Sequence, residues 1–383
     1  MRGIMLLFLT LLTTDLIAQE GIQFQPGNWQ DALSAARKAD KLIFVDAYTS
    51  WCGPCKMMSR EIFPLPDVGA FYNANFINVK MDMEKGDGPR LSGKYQVRAY
   101  PTFLFIDSDG MLVHRAAGYR DAENFIELAH AALDPARRLS ALQQRFEAGE
   151  RNPAFLYNYA FAAYEAFDGS HKPVVDAYVQ TQDDWTTFRN MEFAITFTET
   201  LDSPLFAYLI ENPLPFQLRY GEKKIVDRVK YVVTNALFEG KADLNKAKNL
   251  YRKAFPEEAD RLVARFRVDY HQFEGELDQF AKAAVAYFDQ YPSDDADELN
   301  DVAWDFYQLV EDKSQLKKAV QWSQRSVDLD DNYNNNDTLA ALSYNPGQNK
   351  KAKTTAEHAI ERAKQEGVEY SHTQELLQFI NAM

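Results

Sequence analysis

The apolar positions follow two rhythms along the chain. Up to about residue 134, short strand-like runs alternate with helical spacing. Residues 42–48 are almost continuously apolar, as in a strand covered on both faces. Residues 76–81 and 102–106 repeat that signal, and the Asp109-Gly110 pair predicts a hairpin joining 102–106 to 111–115. Helical spacing appears in Trp29, Ala32, Leu33 and Ala36 behind Asn28, a good N-cap, with Trp29 expected in the core. Further helices are predicted over 56–62, over 67–72 with Asp67 as cap, over 90–95, and over 122–133 before Asp134-Pro135. From residue 136 onward strand patterns thin out. Amphipathic segments follow one another at 154–166, 223–238, 244–255, 277–291 and 299–309. The aromatics Tyr157, Tyr159, Phe161, Tyr164 and Phe167 are expected to fill a core.

The last part of the chain shows a repeat. Ala303-Trp304, Ala319, Trp322 and Ser326 find counterparts at Ala340-Ala341, Ala352, Thr355 and Ala359. The offset is about 33–37 residues, close to the tetratricopeptide period. Residues 330–333 fall where such units turn. Residues 296–365 therefore resemble two tetratricopeptide units, and 150–295 read as degenerate helix pairs. Stacked pairs leave a groove suited to an extended peptide or protein partner. The plainer alternative for this half is a structural appendage or a dimerisation surface.

The opening residues stand apart. Arg2 precedes an apolar run over 4–12, too short to span a bilayer, and Leu16-Ile17-Ala18 resembles a cleavage site. This predicts a signal peptide at 1–18 and an exported mature chain, with a buried N-terminal strand as the alternative. No cysteine follows the apolar run, so a lipoprotein signal is not expected.

The 383 residues carry 42 Lys and Arg against 56 Asp and Glu, a net charge of −14, and most of the excess acid falls beyond residue 134. That balance argues against nucleic acid or anionic lipid as partners. The chain has 2 cysteines, so an exported protein of this kind must rely on apolar cores rather than disulfide staples.

Those cysteines lie together in Trp51-Cys52-Gly53-Pro54-Cys55-Lys56, between a strand and a helix. Cys52 is predicted at the helix N-terminus, where unpaired N–H groups favour a thiolate. Cys55, about one turn on, is placed to resolve a mixed disulfide formed by Cys52. A zinc site would want four ligands, and the histidines do not pair at ligand spacing. A structural disulfide closing so small a loop would restrict the unfolded chain little. An inactive remnant is the third alternative. Asp46 interrupts the apolar strand. It either ends the strand and faces water, or is buried as a proton acceptor for Cys55 with a raised pKa.

These residues resemble the thioredoxin family. Trp-Cys-Gly-Pro-Cys-Lys is its active-site signature, and Asp46 occupies the place of its buried carboxylate. Lys80, in Phe76-Ile77-Asn78-Val79-Lys80, matches the lysine beside that carboxylate. Residues 94–105 resemble the segment leading to the family's cis-proline, here Tyr100-Pro101, and Gly118 matches the glycine after the last strand. Tyr100 departs from the smaller residue often found before that proline. The resemblance covers 22–134. It implies an α/β thioredoxin-like N-terminal domain over 20–134; the helical segments and the repeat predict an all-α, tetratricopeptide-like C-terminal domain over 135–383. It further implies catalytic roles for Cys52, Cys55, Asp46 and Lys80, and substrate contacts at Trp51, Gly53, Pro54, Tyr100 and Pro101. No metal or organic cofactor is expected.

The activity expected from the resemblance is thiol–disulfide exchange with disulfide-containing protein substrates, the helical half holding substrate or partner. Gly53-Pro54 resembles reducing thioredoxins, at about −270 mV, more than oxidases at about −120 mV. A reductase or isomerase is thus favoured, with a separate membrane-bound electron donor. The 61–76 connection, the Asp-Gly hairpin and residues 118–123 also resemble periplasmic thioredoxin-like domains of membrane electron carriers. The alternative is a non-catalytic scaffold in which the helical repeats bind and the thioredoxin fold is an adaptor.

Overall fold

The computed structural model describes residues 21–344 and 347–382. The expected signal segment, 1–18, lies outside the described residues. The chain divides into two compact units, up to Thr181 and from Gln182 onward.

The first unit is built on one sheet. Its strands are β1 (Leu42–Tyr48), β2 (Phe76–Asp82), β3 (Thr102–Ile106) and β4 (Leu112–Ala117), in the spatial order β2-β1-β3-β4. β1 and β2 run parallel, while β3 is antiparallel to β1 and to β4. Helices α1 (Trp29–Ala39), α2 (Gly53–Met57), α3 (Pro66–Asn75), α4 (Gly88–Tyr95) and α5 (Ala122–Leu133) surround it. This is the mixed α/β architecture expected of the N-terminal part. Helices α6 (Leu139–Glu147), α7 (Pro153–Glu165) and α8 (Lys172–Val179) complete the unit.

Strand alternation sorts the two cores. Ile43, Val45 and Ala47 join Trp29, Leu33, Leu91 and Tyr95 on one face of the sheet. Phe44 faces the other way, among Met58, Tyr72, Phe103, Phe105 and Phe125. Asp46 is two positions from Phe44, so it points into this second layer, the one that holds α3 and α5. It is fully buried, so it does not face water at a strand end.

Three local readings are corrected. The helix starts at Gly53 behind Cys52, as expected, but the expected α-helical continuation to residue 62 is, over Met58–Ile62, a π-helical turn in which the Phe63 N–H reaches back to the Met58 carbonyl at 2.9 Å. The helix expected from Asp67 begins at Pro66, with Leu65 at the N-cap and no side-chain cap. Proline lacks the N–H that a cap would satisfy and its φ suits the first helical position, so it starts the helix one residue early. Phe167 was expected in a core with its aromatic neighbours. Tyr159 is buried there, but Phe167 is 59% exposed.

α6 is tied to the sheet by a buried histidine. The Leu139 N–H donates to His114 Nδ1 at 3.1 Å, and His114 lies on β4. An imidazole that accepts at Nδ1 is neutral with its proton on Nε2. Burial pushes its pKa down to about 4, and Arg120, Arg137 and Arg138 reinforce the shift.

The second unit is helical among the described residues. Its core gathers Phe280, Phe288, Phe306 and Trp322, with ring centroids 4.6–5.2 Å apart along the cluster. Ala303, Ala319 and Ser326 are buried, as are their counterparts Ala340, Ala352 and Ala359, whereas Trp304 is half-buried against a buried Ala341 and Thr355 half-buried against a buried Trp322. The small residues let neighbouring helices approach closely.

Candidate active site

β1 ends at Tyr48, and the chain turns through Thr49-Ser50-Trp51 into α2. The Cys52 N–H donates to the Thr49 carbonyl at 3.3 Å, which closes the turn. Cys52 is the N-cap of α2, in extended conformation, and its Sγ accepts the Cys55 N–H at 3.1 Å. Ordinarily a hydroxyl or carboxylate oxygen fills this position. Here a sulfur takes one of the helix's first donors, the Cys55 N–H, and Pro54, without an N–H, adds none. A thiolate at the same place is stabilised by that N–H and by the positive end of the helix. Cys52 and Cys55 are joined by a disulfide with their Cα atoms 5.3 Å apart. Both residues are largely buried, while Gly53 and Pro54 are exposed.

Asp46 and Lys80 are register partners on β1 and β2. Lys80 Nζ stands 3.0 Å from Asp46 Oδ2; the lysine side chain is 27% exposed and the carboxylate almost wholly buried. The lysine is the carboxylate's one charged partner at this distance among the described residues. Burial raises the Asp46 pKa, and the Lys80 charge partly opposes that rise. Lys80 is also ringed by aromatic faces, 4.8 Å from the Tyr48 centroid and 5.0 Å from Phe63.

The sequence reading missed Ser59. Its Oγ accepts from Lys80 Nζ at 2.5 Å and donates to the Cys55 carbonyl at 3.0 Å. A chain of contacts thus runs from Asp46 through Lys80 and Ser59 to the backbone of Cys55. The available signal was position alone: Ser59 lies four residues after Cys55, one helical turn on. Cys55, Ser59 and Lys80 also line an open cavity of about 370 Å³, room enough for water beside the Cys55 sulfur.

The other expected contacts gather on the same side. The Tyr100-Pro101 peptide bond is cis. The Pro101 carbonyl accepts from the Gly118 N–H at 2.8 Å. Trp51 is 64% exposed, donates through Nε1 to Glu84 Oε1 at 3.0 Å, and meets Tyr100 edge-on with centroids 5.9 Å apart. Glu84, from the charged loop after β2, was not anticipated. Tyr100 is half-buried and braces Trp51 from below the dithiol turn. No group of His, Cys, Asp and Glu able to hold a metal occurs among the described residues.

The family model of the thioredoxin-like domain matches residues 29–133. The thioredoxin-like protein slr0233 of Synechocystis is 32% identical over 106 residues, 28% of this chain and 92% of that protein. The chain belongs to the thioredoxin-like family. Membership rests on the first unit, where the Cys52–Cys55 pair occupies the family's active-site position. The thiol:disulfide interchange protein DsbD of Pseudomonas fluorescens is 30% identical over 105 residues, 27% of this chain and 18% of that protein. The solution structure of a candidate disulphide-isomerase from Bacteroides thetaiotaomicron is 44% identical, covering 30% of this chain and 95% of that one, with a TM-score of 0.29. The match spans only 18%, 54% and 21% of DsbD, a plant thioredoxin and a wheat protein disulfide-isomerase, so the chain covers only part of these relatives' own length.

Proposed function

We propose that the first unit is an exported thiol–disulfide oxidoreductase acting on disulfide-containing proteins as a reductase or isomerase. The observation that carries the proposal is the sulfur of Cys52 at the N-cap of α2, in a disulfide with Cys55. In the reduced protein the Cys52 thiolate attacks one sulfur of a substrate disulfide. A mixed disulfide forms, and one substrate thiolate leaves. Asp46, whose proton affinity burial has raised, draws the proton from the Cys55 thiol through the water-accessible cavity beside Lys80. The Cys55 thiolate attacks the Cys52 sulfur, the second substrate thiolate leaves, and the Cys52–Cys55 disulfide closes. Two electrons pass from the dithiol to the substrate, and the two substrate thiolates take up the two protons. Trp51, Gly53, Pro54, Tyr100 and Pro101 border the attacked sulfur and form the face against which the substrate backbone lies. The reaction needs no metal or organic group, since the two cysteines carry the electrons.

Recharging requires a dithiol donor. No helix among the described residues is long and apolar enough to cross a membrane, so the donor in this reading is a separate membrane-bound protein. Export rests on the pattern of residues 1–18. The helical region, whose small buried residues recur at a tetratricopeptide-like offset, holds the substrate or a partner protein. Nucleic acid is not among the proposed partners.

The deciding experiment is equilibration of the purified protein with a thiol buffer. A potential of about −250 mV or lower supports a reductase recharged by a donor, and a value of about −120 mV makes the protein an oxidase instead. A pair that does not cycle leaves the helical region as the working part and the protein as a scaffold. Cys55→Ser then serves as a trap, because it should accumulate mixed disulfides with substrate and donor.

A further inference from the structure

We propose that the turn after α7, with Phe167 at its tip, forms an outer binding surface for the substrate polypeptide and favours an apolar side chain a few residues from the substrate cysteine. The inference rests on the oxidoreductase reading above and assigns to the helical extension of the first unit a part in choosing the substrate.

Phe167 occupies a costly position. It follows the last turn of α7, donates its N–H to the Tyr164 carbonyl at 3.0 Å, and has a φ of 53°. That left-handed position at a helix C-terminus suits glycine, because a side chain crowds the backbone there. A bulky aromatic is a poor occupant. Burial would offset the penalty, yet 59% of Phe167 is exposed. A residue held in a sparsely populated conformation and facing solvent contributes little to the fold, and such residues concentrate at binding sites.

The turn is fixed to the borders of the redox site. Arg98 Nη1 donates to the Asp168 carbonyl at 3.3 Å, and Arg98 precedes Pro101 by three residues. Arg120 Nη2 donates to Glu165 Oε2 at 3.2 Å, and Arg120 follows Gly118, whose N–H binds the Pro101 carbonyl. The backbone N–H of Arg120 also meets Met58 Sδ at 3.4 Å, on the π turn that continues the active-site helix. The turn is therefore gripped by the two segments that flank Pro101, one arginine from each. An arginine side chain and a few residues of backbone place Phe167 roughly 20 Å or less from Pro101, the span of about six extended residues. Tyr119, 42% exposed, lies in the chain between Gly118 and Arg120. With Trp51 it supplies further exposed aromatic surface around the same site.

The occupant is a disulfide-bearing polypeptide, since both arginines that hold the turn come from the segments around the Gly118–Pro101 bond, beside which such a chain is proposed to lie. Aromatic anchors suit apolar side chains of an extended partner, because they present large rigid area at small entropic cost.

The test uses the reduced full-length protein and three probes. One is 2-hydroxyethyl disulfide, too small to reach Phe167 from Cys52. The others are peptides of about twelve residues with a central cysteine in mixed disulfide with cysteamine, flanked by Leu and Phe in one and by Ser and Gly in the other. The wild type should react with the apolar peptide about tenfold faster than with the polar one. Phe167→Ser and Phe167→Gly should both bring that ratio close to one. Glycine suits the left-handed φ, so Phe167→Gly should melt no lower than wild type, whereas a merely structural phenylalanine would lower the midpoint. A ratio unchanged in both variants, or a wild type without preference, overturns the proposal. So does an equal fall with all three probes, which would mean that Phe167 acts on the cysteine pair itself. Wild-type self-association that Phe167→Ser abolishes, with the ratio intact, makes the surface an interface between copies and also overturns it. A wild type that exchanges with none of the probes defeats the oxidoreductase reading, and this one falls with it.

Discussion

A carboxylate buried as completely as Asp46 is a burden on the fold at neutral pH. Its folded pKa is raised, so between its unfolded and folded values the native state holds more protons than the unfolded one. Stability then falls as pH rises through that window. Asp46→Asn should therefore raise the thermal midpoint, and by more at pH 8 than at about pH 4, the unfolded carboxylate value at the lower edge of that window. The same substitution should slow resolution of the mixed disulfide roughly a hundredfold, if Asp46 takes the Cys55 proton. Rapid-mixing measurements of mixed-disulfide decay would read the second effect, and an equal gain in midpoint at both pH values would contradict the first. Asp46 and Lys80 were legible from the sequence because a charge inside an apolar strand is conspicuous and the family signature supplies its partner. Ser59 was not, since a serine one turn beyond a cysteine looks like any polar surface position. Only the 2.5 Å contact with Lys80 distinguishes it.

The elements around the sheet depend on a few caps and one buried base. His114 holds α6 against β4 only while neutral. Its pKa drops from 6.5 to about 4 on folding, so the unfolded chain binds the extra proton between those values. Stability attached to this group is complete above pH 6.5 and is lost as pH falls toward 4, by about 3 kcal/mol in total. His114→Asn, whose side-chain oxygen can accept the same Leu139 N–H, should flatten that acid limb in denaturant titrations. A limb equally steep without the imidazole would show that other groups produce it. At the end of α1, Asp40 sits at φ 51°, another left-handed position occupied by a side chain. Asp40→Gly should stabilise the protein by about 1 kcal/mol, measured as a shift in denaturation midpoint at constant slope. Helix and strand positions were readable because apolar spacing fixes which faces are buried. The π turn at Met58–Ile62 was not, because one wider turn leaves the apolar spacing almost untouched.

At the scale of the molecule, the first compact unit extends to Thr181, and α6 to α8 belong to it. Their amphipathic patterns look like those of the later helices, so the sequence shows no change of partner at that point. What assigns them is tertiary: the Leu139–His114 bond, and the Arg98 and Arg120 bonds to the α7 turn. A fragment ending at residue 134 should consequently melt well below one ending at 181. Equal midpoints would mean that these three helices add nothing to the sheet. Phe167 escaped the sequence reading for a related reason. Spacing marks it as one more aromatic in a helical run, and only the helix stop after Glu165 turns it outward.

The Cys52 sulfur is at once half of the disulfide and the cap of its own helix. Folding and electron transfer therefore form a closed thermodynamic cycle. The difference between the unfolding free energies of the dithiol and disulfide forms must equal the shift in the pair's potential between the folded and the unfolded chain. For a two-electron couple about 30 mV corresponds to about 1.4 kcal/mol. Two melting curves, one in each oxidation state, would thus report how far the fold biases the cysteines, without any redox buffer.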